Sequence, residues 1–213
     1  MRCDKKDLLL YGVTDRSWLG DRTLAQQVEA SLRGGATMIQ LREKHMDRGS
    51  ILAQALELRE LCGRYGVPLL HNDDAELAQA AGADGVHVGQ SDMEAGRVRA
   101  LLGEDKLIGV SARTVEQALA AQAAGADYLG VGAMFPTGTK QDTRPVSYDT
   151  LKAICAAVDI PVVAIGGIGA GNVAELAGSG IAGVAVVSAL YAQPDVEAAT
   201  RSLRAQVERV VGP

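Results

Sequence analysis

Aromatic residues are scarce in this 213-residue chain: one Trp, one Phe and five Tyr make up 3% of it. A core built on stacked rings is therefore excluded. With 47% hydrophobic residues the chain can still bury a sizeable core, but one made of Ala, Val, Leu and Ile, the aliphatics that fill closed α/β barrels. Cysteine is nearly as rare. Cys3, Cys62 and Cys155 show no CxxC spacing and are odd in number, which argues against a disulfide framework and a thiolate zinc site. The three histidines, His45, His71 and His87, form no HExxH pattern. No apolar run is long enough to span a bilayer. The short LLLYGV at 8–13 is interrupted at Thr14-Asp15, too soon for a signal peptide, so a reduced cytoplasm is the expected setting. There is no basic surplus either. A net charge of -5 argues against a nucleic-acid surface, though a few local cations can still hold an anionic substrate. Nothing in the sequence specifies an oligomer.

What is present is repetition. Short apolar runs at 8–13, 37–41, 67–70, 85–88, 107–110, 128–131, 160–165 and 183–187 read as strands. Between them stand segments of helical period such as LAQQVEASLR, ILAQALELRELCGRYG, VEQALAAQAAG and AELAGSG, ending in helix-stopping glycines. Strand followed by helix, about eight times over, predicts parallel strands with helical crossovers. The unit count and length fit a single-domain (β/α)8 TIM barrel over residues 1–213, with a doubly wound open sheet as the rival. Units three and four echo units seven and eight: Val67-Pro68 resembles Ile160-Pro161, AELA at 75–78 recurs at 174–177, and Gly85-Val86 has its counterpart in Gly183-Val184.

In such a barrel the chemistry lies where strands end. The second run ends Gln40-Leu41-Arg42-Glu43-Lys44, and two-residue alternation puts Gln40, Arg42 and Lys44 on one face. The third ends His71-Asn72-Asp73-Asp74, and the fourth leads into Gln90-Ser91-Asp92. Asp73 and Asp92, on neighbouring strands, form an oxygen-only pair suited to Mg2+, which takes one or two carboxylates and completes its shell with water and phosphate. Either Asp could instead cap the helix that follows. Ser111, at the end of the fifth run, can donate to a phosphate or act as a cap. The loop Gly132 to Lys140, with Thr137, Gly138 and Thr139, has the makings of an anion grip, and its continuation through Asp142, Arg144 and Pro145 those of a lid. Ile165-Gly166-Gly167 and Val187-Ser188 offer backbone amides where barrels commonly bind phosphate. The mouth thus holds one anion site rich in charge and another built from backbone and hydroxyls.

Taken together, YGVTD at 11–15, QLREK at 40–44, HNDDAELAQAAGADGVHVGQSDM at 71–93, IGVSARTVEQA at 108–118, GADYLGVGAMFPTGTK at 125–140, PVVAIGGI at 161–168 and GVAVVSAL at 183–190 resemble the thiamine-phosphate synthase family along almost the whole chain. The resemblance implies two small-molecule substrates, 4-amino-2-methyl-5-(diphosphooxymethyl)pyrimidine and a thiazole phosphate, joined with release of pyrophosphate. It implies that Gln40, Leu41, Arg42, Glu43, Lys44, Asn72, Ser111 and Lys140 hold the pyrimidine diphosphate, with Arg42, Lys44, Ser111 and Lys140 catalytic. Thr137, Gly138, Thr139, Gly167, Val187 and Ser188 would receive the thiazole phosphate, and Asp73 and Asp92 would bind one Mg2+ per subunit. Two positions depart from the family pattern. His71 stands where an aliphatic residue is common, and is expected to be a buried, hydrogen-bonded core residue. Arg113 replaces a frequent histidine, and either adds a phosphate contact or points to solvent. The alternatives are a related thiazole tautomerase, which does not need the full diphosphate and metal set, and a non-catalytic thiamine-phosphate binding protein. A sugar-phosphate epimerase would need facing acid and base groups that the sequence does not offer.

Overall fold

The computed structural model describes residues 3–138 and 145–212. Eight parallel strands close into a barrel in sequence order: β1 (Leu10–Val13), β2 (Met38–Leu41), β3 (Leu69–Asn72), β4 (Gly85–Val88), β5 (Leu107–Ala112), β6 (Tyr128–Val131), β7 (Val162–Ile165) and β8 (Gly183–Val186). Pairing of β8 with β1, Ala185 opposite Tyr11, completes the ring and rules out the open sheet. Around it lie α1 (Leu24–Arg33), α2 (Arg48–Tyr65), α3 (Ala75–Ala81), α4 (Ala95–Leu102), α5 (Val115–Ala123), α6 (Tyr148–Ala157), the one-turn α7 (Ser188–Tyr191) and α8 (Val196–Val211). Thr23, Asp47, Asp74, Glu94, Thr114, Ser147 and Asp195 cap seven of these helices through their side chains. Such caps contribute about 1 kcal/mol each. Asp74 is therefore the cap of α3.

Of the strands that begin later than the apolar runs suggest, β3 and β7 do so for one reason. Pro68 and Pro161 have no N–H to give to a ladder, so β3 and β7 start just after them. Their carbonyls still accept, Pro68 from Ile39 at 3.1 Å and Pro161 from Leu129 at 3.0 Å. The largest departure concerns the repeated AELA. At 75–78 it lies in α3, whereas at 174–177 it yields only a 3-10 turn, Val173–Leu176. Gly178 and Gly180 follow at once with φ of 76° and 91°, leaving no room for a second turn. Asn172, placed to cap, instead accepts from Gly169 N and donates to Gly167 O, both at 2.9 Å, so it braces the glycine turn after β7.

The echo between Gly85 and Gly183 has a steric cause. A Cβ on Gly85 would strike the Leu107 carbonyl at the start of β5, and one on Gly183 the Leu8 carbonyl just before β1. Each opens a strand pressed against the next strand round the ring. Side chains then separate by parity. Tyr11, Met38, Leu70, Tyr128, Val163 and Ala185 fill the barrel, while Leu41, Leu69, Val86 and Val88 face the helices.

Candidate functional site

A cavity of about 650 Å³ opens at the C-terminal ends of the strands. From β2 and its loop, Gln40, Arg42 and Lys44 line it, as alternation requires. Leu41 and Glu43 do not. Leu41 is fully buried among the helices, and the Glu43 carboxylate turns back to meet Arg16 Nε at 2.9 Å. The same two-residue period that brings Arg42 inward sends both of these side chains out, so neither side chain of Leu41 or Glu43, both expected among the pyrimidine-diphosphate contacts, reaches the cavity. Arg42 is steadied by Asp15, 3.7 Å away, and its backbone N–H donates to Thr14 Oγ1 at 2.9 Å. The loop after β1 therefore holds Arg42 in place.

Asn72, Asp73 and Asp92 line the adjoining wall. Neither Asp caps a helix, because Asp74 and Glu94 do that work. Asp73 adopts a left-handed backbone with φ 63°, uncommon outside glycine, which Asp tolerates better than most residues. Its carboxyl is held above the usual range first by burial and then by the charge of the adjacent Asp92, with Lys44 acting in the opposite sense. Two carboxylates so close, in a half-buried wall, repel each other unless a cation or a proton lies between them. Among the described residues no group of three or more metal-ligating side chains occurs. The donor set is thus two carboxylates with space in front, which fits a hard divalent cation that keeps water and phosphate oxygens as its other ligands.

The opposite wall carries little charge. Thr137, Gly167, Val187 and Ser188 line it. Gly166 and Gly167 have φ of 96° and 67°. A Cβ on Gly167 would lie 2.5 Å from the Pro136 carbonyl oxygen and 2.7 Å from that of Phe135. Met134 N donates to Ile165 O and Phe135 N to Gly166 O, each at 3.0 Å, so the start of the 132–146 loop is pinned backbone to backbone against the turn after β7. That part of the expected lid is anchored. Gly138 is exposed and does not line the cavity. Thr139, Lys140, Asp142 and Arg144 lie outside the described residues.

Residues 10–190 match the family model described as thiamine monophosphate synthase. The chain belongs to that family. Thiamine-phosphate synthase of Ruminiclostridium cellulolyticum is 48% identical over 199 residues, spanning 93% of this chain and 95% of its own. That of Chloroflexus aurantiacus is 50% identical over 202 residues, spanning 94% and 93%. The solved structure of thiamine phosphate pyrophosphorylase from Pyrococcus furiosus aligns with a TM-score of 0.90 at 38% identity, over 98% of this chain and 99% of that one.

Sequence reading did not join the residues that form the floor of this cavity. Tyr11 and Tyr128 are fully buried in the barrel, their hydroxyls 3.0 Å apart. Gln40 Nε2 donates to Tyr11 Oη at 2.6 Å, and His87 Nδ1 lies 3.0 Å from Tyr128 Oη. His87 Nε2 is 2.9 Å from Ser111 Oγ. Burial pushes both phenols well above their ordinary range, so they stay neutral hydrogen-bonding groups. The available signal was the glycines within strands: a Cβ on Gly109 would fall 2.5 Å from His87 Nδ1, and one on Gly130 2.9 Å from its Cε1. Ser111 caps nothing, since Thr114 caps α5. Arg113 and Gln90 also line the cavity. His71, by contrast, takes the parity of Leu69 and faces the helices. It is 4% exposed, and its Nδ1 lies 3.0 Å from Asn72 O.

Proposed function

We propose that this chain condenses 4-amino-2-methyl-5-(diphosphooxymethyl)pyrimidine with 4-methyl-5-(2-phosphooxyethyl)thiazole, or its carboxylated form, to thiamine phosphate and pyrophosphate. Its family makes it a transferase of thiamine biosynthesis. The observation that carries the reading is the meeting of the Asp73 and Asp92 carboxylates beside Lys44 and Arg42, in one cavity with a nearly uncharged opposite wall. A tautomerase confined to the thiazole phosphate has no use for the first wall, and a mere binding protein has no use for a complete leaving-group site.

Asp73 and Asp92 would hold one Mg2+, with Asn72 alongside. When bound, such an ion neutralises charge on the departing diphosphate. Arg42 and Lys44 pair with the diphosphate oxygens, Ser111 donates a hydrogen bond to them, and Gln40 helps seat the pyrimidine. Lys140, from the loop after β6, is proposed to join them. The bond from the exocyclic methylene carbon to the diphosphate oxygen breaks, and the pair of electrons leaves with pyrophosphate. The resulting pyrimidinylmethyl cation is stabilised by the ring's amino group. The thiazole nitrogen then supplies its own lone pair to form the new C–N bond, so no general base is required. Backbone and hydroxyl donors around Thr137, Gly167, Val187 and Ser188, joined by Thr139, hold the thiazole phosphate within reach. Three free cysteines suit a cytoplasmic setting, and no helix among the described residues is long and apolar enough to cross a membrane.

Purified protein given both substrates and Mg2+ is expected to release pyrophosphate and form thiamine phosphate, with both products abolished by EDTA. Binding of both substrates without pyrophosphate release would overturn the proposal in favour of a binding protein. Turnover undiminished by EDTA would remove the metal from it.

A further inference from the structure

The floor of the cavity is a continuous row of hydrogen bonds, Gln40–Tyr11–Tyr128–His87–Ser111, drawn from five different strands and spanning the barrel. We propose that the row has a single polarity, which makes His87 a positioning residue that donates from Nε2 to Ser111 Oγ and holds the serine's hydroxyl hydrogen toward the cavity. The inference deepens the proposed function, because the oxygen that receives that hydrogen is taken to be the leaving diphosphate.

The direction follows from counting protons. Gln40 Nε2 is an amide nitrogen and can only donate, so Tyr11 Oη accepts at 2.6 Å. Tyr11 has one proton and, in the proposed polarity, donates its O–H to Tyr128 Oη, 3.0 Å away. Tyr128, accepting there, gives its own proton to His87 Nδ1 at 3.0 Å. A neutral imidazole that accepts on Nδ1 carries its proton on Nε2, and that N–H faces Ser111 Oγ at 2.9 Å. Ser111 Oγ therefore accepts from below and keeps its hydrogen for a partner above. Ser111 lines the cavity, while its carbonyl is engaged by Gln90 Nε2 at 2.6 Å. The row has no room to rearrange. Gly109 and Gly130 leave only the space that the His87 ring occupies, and both phenols are fully buried. Turning the Gln40 amide over would reverse every bond. Ser111 would then donate inward to His87 and present lone pairs to an anion, the wrong sign for a developing negative charge.

The test begins on the unliganded, full-length protein with 15N-labelled histidine, using long-range proton–nitrogen NMR at neutral pH. The His87 signals are identified by their loss in His87→Gln. The expected result is a neutral ring with the proton on Nε2. A proton on Nδ1 alone, or an imidazolium, overturns the proposal. Tyr128→Phe, which removes the donor to Nδ1, should populate the second tautomer and lower kcat about tenfold with little change in KM, the low end of what losing an orienting partner costs. His87→Gln keeps an N–H within reach of Ser111 and should stay within about threefold of the parent, whereas His87→Leu should fall about tenfold. An unaltered tautomer and kcat in Tyr128→Phe, or equal losses in Gln and Leu at position 87, would also overturn it. If the parent protein releases no pyrophosphate, the proposed function fails alone, because the tautomer is read without turnover. If His87→Leu does not fold, the tautomer of the parent and of Tyr128→Phe still decides the matter.

Discussion

The two walls of the mouth, each proposed to hold an anion, are built of different materials. The wall from β2 to β4 uses charged side chains: Arg42 and Lys44 against Asp73 and Asp92. The wall from β6 to β8 uses turns in which backbone replaces side chain: Gly166 and Gly167 at positive φ, braced by Asn172 and by the backbone amides of residues 134 and 135. The first can respond to charge that moves during a reaction, because its groups are charged and partly buried. The second, in the proposed function, would offer fixed donors to a phosphate whose charge does not change. A bond-breaking site and a holding site are thus distinguishable by composition alone.

That distinction can be broken most forcefully at Asp92. Asp92→Ala removes one of the paired carboxylates and is expected to cut pyrophosphate release by about 10²–10³-fold, with the response to added Mg2+ largely gone. Thiazole phosphate binding, followed by calorimetry, should be unaffected. Turnover equal to the parent would show that the charged wall does not assist departure of the leaving group. The converse substitution is Gly167→Ala. Its Cβ would press on two carbonyl oxygens from a left-handed backbone, so it should cost about 1–3 kcal/mol of stability in denaturant unfolding. The KM for the thiazole phosphate should rise about tenfold while that for the pyrimidine diphosphate stays put. Equal changes in both would mean that the walls are not separate sites.

The smallest effect sharpens the comparison by separating the charged wall from its scaffold. His71 is on the same strand as Asn72 but on its outer face, where burial holds its pKa below 6.5. The folded state then binds this proton less readily than the unfolded chain. The neutral form's contribution is complete above about pH 6.5 and drains away as pH falls toward the folded pKa. Among the described residues, His71 Nε2 is also buried without a partner. His71→Leu should therefore leave turnover unchanged and give a modestly higher Tm at pH 5, with a smaller gain at pH 8. Lost turnover, or a parent no less stable at pH 5 than at pH 8, would contradict this account.

Much of this molecule could be read from its order of residues. Apolar runs separated by helical periods gave the eight strands, and the two-residue step placed Gln40, Arg42 and Lys44 on one wall. The same step, applied strictly, would also have turned Leu41 and Glu43 away; family likeness kept them among the binding residues, and the geometry removed their side chains. Local rules fared worse where surroundings override them. One tetrapeptide, AELA, winds into α3 and in its second copy stops at a single turn, because Gly178 and Gly180 follow at positive φ and Asn172 braces the turn after β7 instead of capping.

Periodicity, proline positions and caps belong to neighbouring residues, and the chain alone determined them because they follow from backbone geometry over a few bonds. Closure of the barrel decided the rest. Gln40 and Ser111 are 71 positions apart, and only a ring that folds five strands over one floor can join them through two tyrosines and a histidine. The direction of that row depends on which proton each group holds once all are buried together. No stretch of the sequence contains that information, because it arises from contacts between stretches.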